Sequence, residues 1–286
     1  MINALKPLDY KENYKDLIPE GNFRISPSAI GKFTDKKWEW YRSQVLGEET
    51  FTGNTSTVLG TCIHRVAEVC TKFQSSDERD ILRTEIPEYI DSFKNNPEID
   101  TTFIQEQWKP MGNALINYLN LFGYPERSED AIAYKICDGV YVGGTADAVI
   151  GNTLVDYKTT SNQSVSDTYI PNNYKFQLLA YAWVYRKLGI DIQNIRIVWI
   201  TQHIVGRISE KTGKPLKDYP STVIPVTQVI TKEDMDFIES YLKLIAETYL
   251  KSKECPELTY LLFSDYRLKD INGNNQITGI SLWKLR

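Results

Sequence analysis

Two aspartates lie on either side of a predicted tight turn in the segment GTADAVIGNTLVDYK. Gly151 and Asn152 are typical of a two-residue β-hairpin turn, so the residues that flank them pair across the hairpin. Counting outward from that pair places Asp147 opposite Asp156 on one face. Because like charges in directly opposed positions are destabilising, this arrangement favours a divalent cation between the two carboxylates. The alternative interpretation is an acidic turn on a solvated face.

A lysine follows the second aspartate at a spacing that suits phosphate chemistry. Lys158 is two residues beyond Asp156, so it projects from the same face of the strand, about 7 Å further along it. An ammonium group there lies beside any water or phosphate that a cation holds. The residues of opposite phase, Ile150, Val155 and Tyr157, are apolar, which indicates that the other face of the hairpin packs on a core.

One of the two histidines in the chain precedes this hairpin, in the segment GTCIHRVAE. His64 and Glu68 are four residues apart on a predicted helix, so their side chains share a helix face and can approach one cation. The alternative is an ordinary helical histidine that binds no ligand.

A second polar pair lies on a helix downstream of the hairpin. Gln177 and Tyr181 are also four residues apart, and Tyr174 and Tyr185 lie on the same stripe. An amide and phenols are neutral donors that suit phosphate oxygens. The alternative is that the stripe packs as the half-buried face of an amphipathic helix.

The order of these motifs resembles that of the RecB-type branch of the PD-(D/E)XK nuclease superfamily, which contains the RecB, AddB and Cas4 nuclease domains and mitochondrial genome maintenance exonuclease. The matching motifs are GxxxHxxxE from Gly60, GTAD ending at Asp147, DYKT beginning at Asp156 and QLLAY beginning at Gln177. The segments ISPSAIGKF and WYR also resemble the helix that precedes the first motif in many members. The resemblance covers roughly residues 24–202 and leaves the final third unassigned.

The resemblance implies a divalent-metal site that hydrolyses phosphodiester bonds by in-line attack of water. Its metal ligands would be His64, Asp147, Asp156 and the backbone carbonyl of Tyr157. Lys158 would position or activate the attacking water. The cation would be Mg²⁺ or Mn²⁺, whose positive charge stabilises the charge that develops during hydrolysis.

The resemblance also implies which residues hold the substrate. Gln177 and Tyr181 would hold the scissile strand, and Glu68 would support the site or contact DNA. Thr159 and Thr160 extend the lysine motif and would donate hydrogen bonds to the phosphate. These residues make DNA the expected partner.

The cysteines set the chain apart from relatives that carry an iron-sulfur cluster. Those relatives often have one cysteine before the first motif and three near the C-terminus, whereas this chain has only Cys62, inside the motif, and Cys255 at those places. We therefore expect no iron-sulfur cluster. The resemblance then points to cluster-free members such as the RecB-like exonucleases of phages. Because no GxxxxGK[ST] motif is present, we expect a stand-alone nuclease rather than part of a motor.

The expected function is a metal-dependent DNA exonuclease that acts on ends or single strands in recombination, repair or replication. A recombinase or a single-strand-binding protein would be a suitable protein partner. Two alternatives stay open: a structure-specific endonuclease or Cas4-like DNA-processing factor, and a non-catalytic DNA-binding module. An exonuclease and an endonuclease differ in how DNA reaches the site: a closed arch requires a free end, whereas an open cleft does not. The candidates for such an arch are residues 20–125 and the polar excursion 206–220.

The composition is that of an ordinary globular protein, with 42% hydrophobic and 24% charged residues among 286. The 33 basic and 37 acidic residues give a net charge of −4, so basic residues for DNA would have to be confined to one groove. No apolar stretch is long enough to span a membrane, and the first residues lack the apolar core of a secretory signal. We expect a soluble protein of a bacterial or phage-infected host cytoplasm.

The elements around the motifs predict an α/β (α+β) fold, in which helices flank a central mixed β-sheet and an N-terminal helical elaboration precedes it. Ser26-Pro27 opens a predicted helix that runs towards Gly47, and Thr231 opens another with a capping box. The predicted divisions are an N-terminal extension (1–23) and one nuclease domain (24–286), with a mainly helical part carrying the histidine (24–125), the catalytic sheet and Gln/Tyr helix (126–230), and a C-terminal helix and tail (231–286).

Overall fold

The computed structural model describes residues 15–48, 53–73, 78–209, 211–264, 267–269 and 275–277. Most of the predicted N-terminal extension, and most of the tail beyond residue 264, therefore lie outside the described residues. Within the described part of the chain, no helix is both long enough and apolar enough to cross a membrane.

A six-stranded mixed sheet forms the centre of the protein, as predicted. Its strands run in the order β1-β3-β4-β5-β6, and β2 pairs with β3 outside that path. The pairs β1/β3 and β4/β5 are parallel and the other pairs are antiparallel. The strands are β1 (Phe23–Ile25), β2 (Arg127–Cys137), β3 (Val140–Ile150), β4 (Thr153–Thr160), β5 (Asn194–Thr201) and β6 (Val223–Val229), and a separate pair is formed by β7 (Arg267–Lys269) and β8 (Asn275–Ile277).

Helices cover both faces of the sheet and create two apolar cores. One core joins α3, α4 and α5 to sheet residues such as Val155 and Tyr157, and the other joins α1, α2, α6 and α7 to residues such as Leu154 and Ile197. The helices are α1 (Ile30–Asp35), α2 (Lys37–Gln44), α3 (Thr55–Lys72), α4 (Leu82–Asp91), α5 (Thr101–Phe122), α6 (Asn172–Lys187), α7 (Lys232–Glu254) and α8 (Thr259–Phe263), with 3₁₀ turns at Pro27–Ala29, Glu78–Ile81 and Pro256–Leu258.

The predicted hairpin register is confirmed next to the turn, but the predicted pairing of Asp147 with Asp156 is not formed. Ile150 pairs with Thr153 across the Gly151-Asn152 turn, and the ladder continues to the pair Ala148 and Val155. Pairing between β3 and β4 ends there, one step before the two aspartates. Further along, β1 takes over as the neighbour of β3, at residues 140–142. The β3 segment between these two neighbours, residues 143–147, thus borders a gap in the sheet.

The prediction of one continuous helix from Ser26-Pro27 towards Gly47 is wrong, because the segment forms two separate helices. It breaks at Lys36, whose φ of −144° and ψ of 60° are not helical, and α2 begins at the next residue. The break lets Phe33 and Trp40 meet edge to face, 5.0 Å apart, in the core. The capping box predicted at Thr231 is confirmed, since its hydroxyl accepts from the Asp234 N–H and the Asp234 carboxylate accepts from the Thr231 N–H.

The close packing of β2 against β3 predicts opposite effects for two glycine substitutions. A Cβ at Gly143 would lie 2.8 Å from the Ile132 carbonyl oxygen, so Gly143→Ala should lower the free energy of unfolding by about 1–3 kcal/mol. Gly60, inside α3, has ordinary space, with Thr159 Oγ1 3.8 Å from such a Cβ, so Gly60→Ala should raise it by up to about 1 kcal/mol. Urea unfolding of both variants measures this, and equal effects would contradict the packing at Gly143.

Candidate active site

The gap between β3 and β4 is lined by polar groups that replace the missing ladder. The Asp147 carboxylate accepts a hydrogen bond from the backbone N–H of Tyr157, at 2.9 Å. The phenol of Tyr181 donates to the carbonyl oxygen of Thr145, at 2.8 Å. Buried backbone groups need such partners, so the side chains that close the gap are fixed in place by the sheet itself.

His64 reaches the gap from α3, on one side of the sheet. Its Nε2 lies 3.0 Å from the carbonyl oxygen of Tyr157, and its Nδ1 lies 3.5 Å from Asp147 Oδ2. The structure therefore brings together three of the four predicted metal ligands: the His64 imidazole, the Asp147 carboxylate and the Tyr157 carbonyl.

Asp156 is the fourth predicted ligand, and its side chain contacts Gln177 of α6 and Lys158. Its Oδ1 accepts hydrogen bonds from Lys158 Nζ at 2.8 Å and from Gln177 Nε2 at 3.0 Å. Lys158 therefore shares a face with Asp156, as the strand period predicts, and its ammonium group lies over the ring of Tyr174.

The second oxygen of Asp156 is left without a hydrogen-bond partner among the described residues, although Asp156 is only 3% exposed. Burial and the neighbouring charge of Asp147 raise the pKa of Asp156 to about 6, against the opposing effect of Lys158. Burial would lower the pKa of Lys158, but the two aspartates outweigh it and raise that pKa. Lys158 thus keeps its proton at neutral pH in the metal-free protein.

A glutamate that the sequence analysis did not single out completes the site. Glu129, on β2, lies at the register position opposite Asp147, between the pairs Ser128/Ala148 and Asp130/Ala146. Its φ of +50° is the only positive value at a non-glycine residue in the described part of the chain. Such a conformation costs on the order of 1 kcal/mol or more, and functional sites are where it concentrates.

The Glu129 carboxylate shares its surroundings with His64 and Asp147. Its Oε1 lies 3.8 Å from His64 Nδ1, and all three residues bring a ligand atom within 4.8 Å of one another. Among the described residues, Asp156 is not part of that group. Burial would lower the pKa of His64, but the carboxylates of Asp147 and Glu129 outweigh it and raise the pKa to about 9.

The remaining predicted residues are divided between this site and its margins. Gln177 contacts the site through Asp156, and Tyr181 through Thr145. Thr159 and Thr160 are half-buried at the end of β4, beside the last residues of β5.

Glu68 lies apart from the group formed by His64, Glu129 and Asp147. It is buried against Arg65, at 2.7 Å, and Arg65 also pairs with Glu85. The position one helical turn beyond His64 therefore serves an ion-pair network within the helical layer, and the role of Glu68 in the site stays a prediction.

The residues at the gap fit a divalent cation. Carboxylate and carbonyl oxygens with one imidazole are the donors that Mg²⁺ and Mn²⁺ take in proteins. The unpartnered, buried oxygen of Asp156 is an acceptor that a cation would satisfy. The carboxylates of Asp147 and Asp156 repel each other, and a cation between them would relieve that repulsion.

The fold and the site together define an α/β protein whose central hairpin carries two aspartates and a lysine at a break in a mixed sheet. The sequence model of the PD-(D/E)XK nuclease superfamily matches residues 24–256, well over half of the chain. The chain belongs to this superfamily, which confirms the family predicted from the order of its motifs.

The chain is also similar to three solved structures, each less than 15% identical in sequence. A protein from Eubacterium rectale, provisionally described as an exonuclease, is 12% identical, with 90% of this chain and 85% of that chain covered and a TM-score of 0.47. A phage-related exonuclease from Haemophilus somnus is 11% identical (79% and 96% covered, TM-score 0.38). An alkaline exonuclease from Laribacter hongkongensis is 14% identical (72% and 98% covered, TM-score 0.34). No curated protein matches the chain.

The environment of His64 predicts a titration that depends on Glu129. In metal-free protein the His64 ring should titrate with a midpoint near pH 9, and Glu129→Gln should lower that midpoint because one of the two stabilising carboxylates is gone. Proton NMR of the imidazoles measures it directly, since the chain has two histidines. Glu126→Gln is the matched control, because Glu126 bonds the Gly151 N–H instead. A midpoint that does not move in Glu129→Gln would contradict the contact.

Proposed function

We propose that this chain is a metal-dependent DNA exonuclease that acts on DNA ends or single strands in recombination, repair or replication. The observation that carries the proposal is the Asp156 carboxylate, which is buried beside Asp147, held on one oxygen by Lys158 and Gln177, and unpartnered on the other. Membership of a nuclease superfamily supports hydrolysis of a nucleic acid.

In this proposal, His64, Asp147, Asp156 and the Tyr157 carbonyl hold the cation. Glu129 is close enough to His64 and Asp147 to join them as a further ligand or to orient the imidazole. The cation would be Mg²⁺ or Mn²⁺ and would supply positive charge to the scissile phosphate and lower the pKa of a bound water.

The protein's own groups then position the substrate. Lys158 carries its proton in the metal-free site, so its ammonium group donates to a phosphate oxygen or holds the attacking water in line. Gln177 holds Asp156 in the orientation that leaves the second carboxylate oxygen free. Tyr181, Thr159 and Thr160 offer further donors to the backbone of the scissile strand, and Glu68 supports α3 behind His64.

Loss of Asp156 or Lys158 should abolish cleavage without abolishing the fold or DNA binding. Asp156→Ala and Lys158→Ala should each lower the cleavage rate of end-labelled linear DNA with Mg²⁺ or Mn²⁺ by at least about 100-fold, since one variant removes a ligand of the cation and the other removes a preorganised donor to the reacting phosphate or water. EDTA should have the same effect on the unaltered protein.

The chain offers a matched control in a surface aspartate–lysine pair. Lys135 and Asp138 contact each other at 2.6 Å at the β2–β3 turn, so Lys135→Ala and Asp138→Ala should cleave like the unaltered protein. Circular dichroism checks the fold of all four variants. Undiminished cleavage in Asp156→Ala or Lys158→Ala would refute the proposed site. Equal losses of cleavage in Lys135→Ala and Asp138→Ala would show that the effect is not specific to that site.

A DNA substrate without ends distinguishes exonuclease activity from endonuclease activity. We expect linear strands to be degraded and a covalently closed circular single strand to survive at the same enzyme concentration. Gel electrophoresis of both substrates, with the label at either end of the linear one, gives the result and the polarity. Cleavage of the circle at the linear rate would replace the exonuclease with a structure-specific endonuclease.

A further inference from the structure

A two-stranded arm projects from the sheet after β5. Residues 204–209 and 211–219 run alongside each other, and Ile204 and Tyr219 close the base with two backbone hydrogen bonds of 2.8 and 2.7 Å. Higher up, the Leu216 N–H donates to the Arg207 carbonyl and the Ser209 N–H donates to the Lys214 carbonyl. We call residues 204–219 the basic arm.

The basic arm contributes almost nothing to the core. Its described residues between the base and the tip are mostly exposed, including the apolar side chains of Ile208 (64% exposed), Val205 and Leu216. A hairpin with no face to bury is marginally stable on its own. The fold therefore gives no reason for a projection of this length.

The charge of the basic arm is opposite to that of the chain. It carries four basic and two acidic residues, whereas the whole chain has a net charge of −4. Among the described residues, none of the four cations forms an ion pair with a carboxylate, and Lys217 lies over the Tyr219 ring. The Asp218 carboxylate accepts a hydrogen bond from the Gly206 N–H. The four cations are Arg207, Lys211, Lys214 and Lys217.

The base of the basic arm is fixed to the end of the sheet where Lys158 lies. Thr160, two residues after Lys158, pairs with Thr201 at the end of β5, and its carbonyl accepts from the Gln202 N–H. On the helical side, Gln107 of α5 makes two hydrogen bonds with the backbone of His203, at 2.9 and 2.7 Å. A rigid base therefore carries the exposed cations away from the end of β4.

We propose that the basic arm binds the phosphate backbone of DNA on its way to or from the active site, through the four cations and without reading sequence. This inference rests on the proposed function. Exposed lysine and arginine side chains on a projection suit phosphates, which fix the position of a strand and not its sequence.

The test compares three proteins with the unaltered chain. The arm variant carries Arg207→Gln, Lys211→Gln, Lys214→Gln and Lys217→Gln. The charge-retaining variant carries Arg207→Lys, Lys211→Arg, Lys214→Arg and Lys217→Arg. The remote control removes the same charge from α7 and carries Lys232→Gln, Lys243→Gln, Lys251→Gln and Lys253→Gln. Fluorescence anisotropy with a labelled duplex in EDTA gives the affinity at several salt concentrations, and cleavage with Mn²⁺ gives KM and kcat.

We expect the arm variant to bind at least about tenfold more weakly at low salt, and the slope of log K against log salt to become shallower by about 3 to 4. Its KM should rise while kcat at saturating DNA is unchanged. The charge-retaining variant and the remote control should match the unaltered protein. An unchanged slope in the arm variant, or an equal change in the remote control, would overturn the proposal.

The failure of the two proposals can be told apart. If the unaltered protein cleaves DNA but the arm variant has an unchanged slope of log K against log salt, the basic arm proposal fails and the proposed nuclease function stands. If the unaltered protein binds DNA with the predicted slopes but does not cleave it, the proposed function fails and the basic arm stands. If it neither binds nor cleaves, both fail.

Discussion

One edge of β3 is shared by two strands, and the site exists because they do not meet. β4 pairs with one end of this edge and β1 with the other, which leaves a short stretch of backbone without a strand partner. Its polar groups must still be satisfied. Asp147 accepts the N–H of Tyr157, and Tyr181 donates to the carbonyl of Thr145. The same groups that complete the sheet are therefore the ones available for chemistry, so the geometry of the site is as rigid as the sheet.

The electrostatics of the site work against the stability of the metal-free fold. Asp156 is buried near Asp147, and both effects favour its neutral form. Lys158 offsets only part of this, because its ammonium contacts one carboxylate oxygen and leaves the other unpartnered among the described residues. Glu129 adds backbone strain at a strand position where its neighbours pair normally. Functional sites keep such unfavourable arrangements when a ligand relieves them, and here a divalent cation is the ligand that would do so.

The local signals in the sequence were sufficient for the hairpin and its lysine. Gly151-Asn152 sets the register of β3 and β4, and the period of two then places Lys158 beside Asp156. Glu129 was beyond this reasoning because β2 contains a bulge at Ile136, where the register shifts by one residue. Counting back from the β2–β3 turn without that bulge would place Asp130 opposite Asp147. Which way Asp156 presents its second oxygen depends on Gln177, a contact between distant elements that spacing alone does not reveal.

The order of strands in the sheet also determines when the site can form during synthesis. The parallel pair β1/β3 joins residues 23–25 to residues 140–142, and β4 pairs with β5, beyond α6. Such non-local contacts form slowly, because long loops must close first. Asp156 receives its hydrogen bond from Gln177 only after α6 has left the ribosome. A chain that stops before α6 therefore has both aspartates and the lysine but lacks the group that orients them, so an incomplete nascent chain cannot assemble this arrangement.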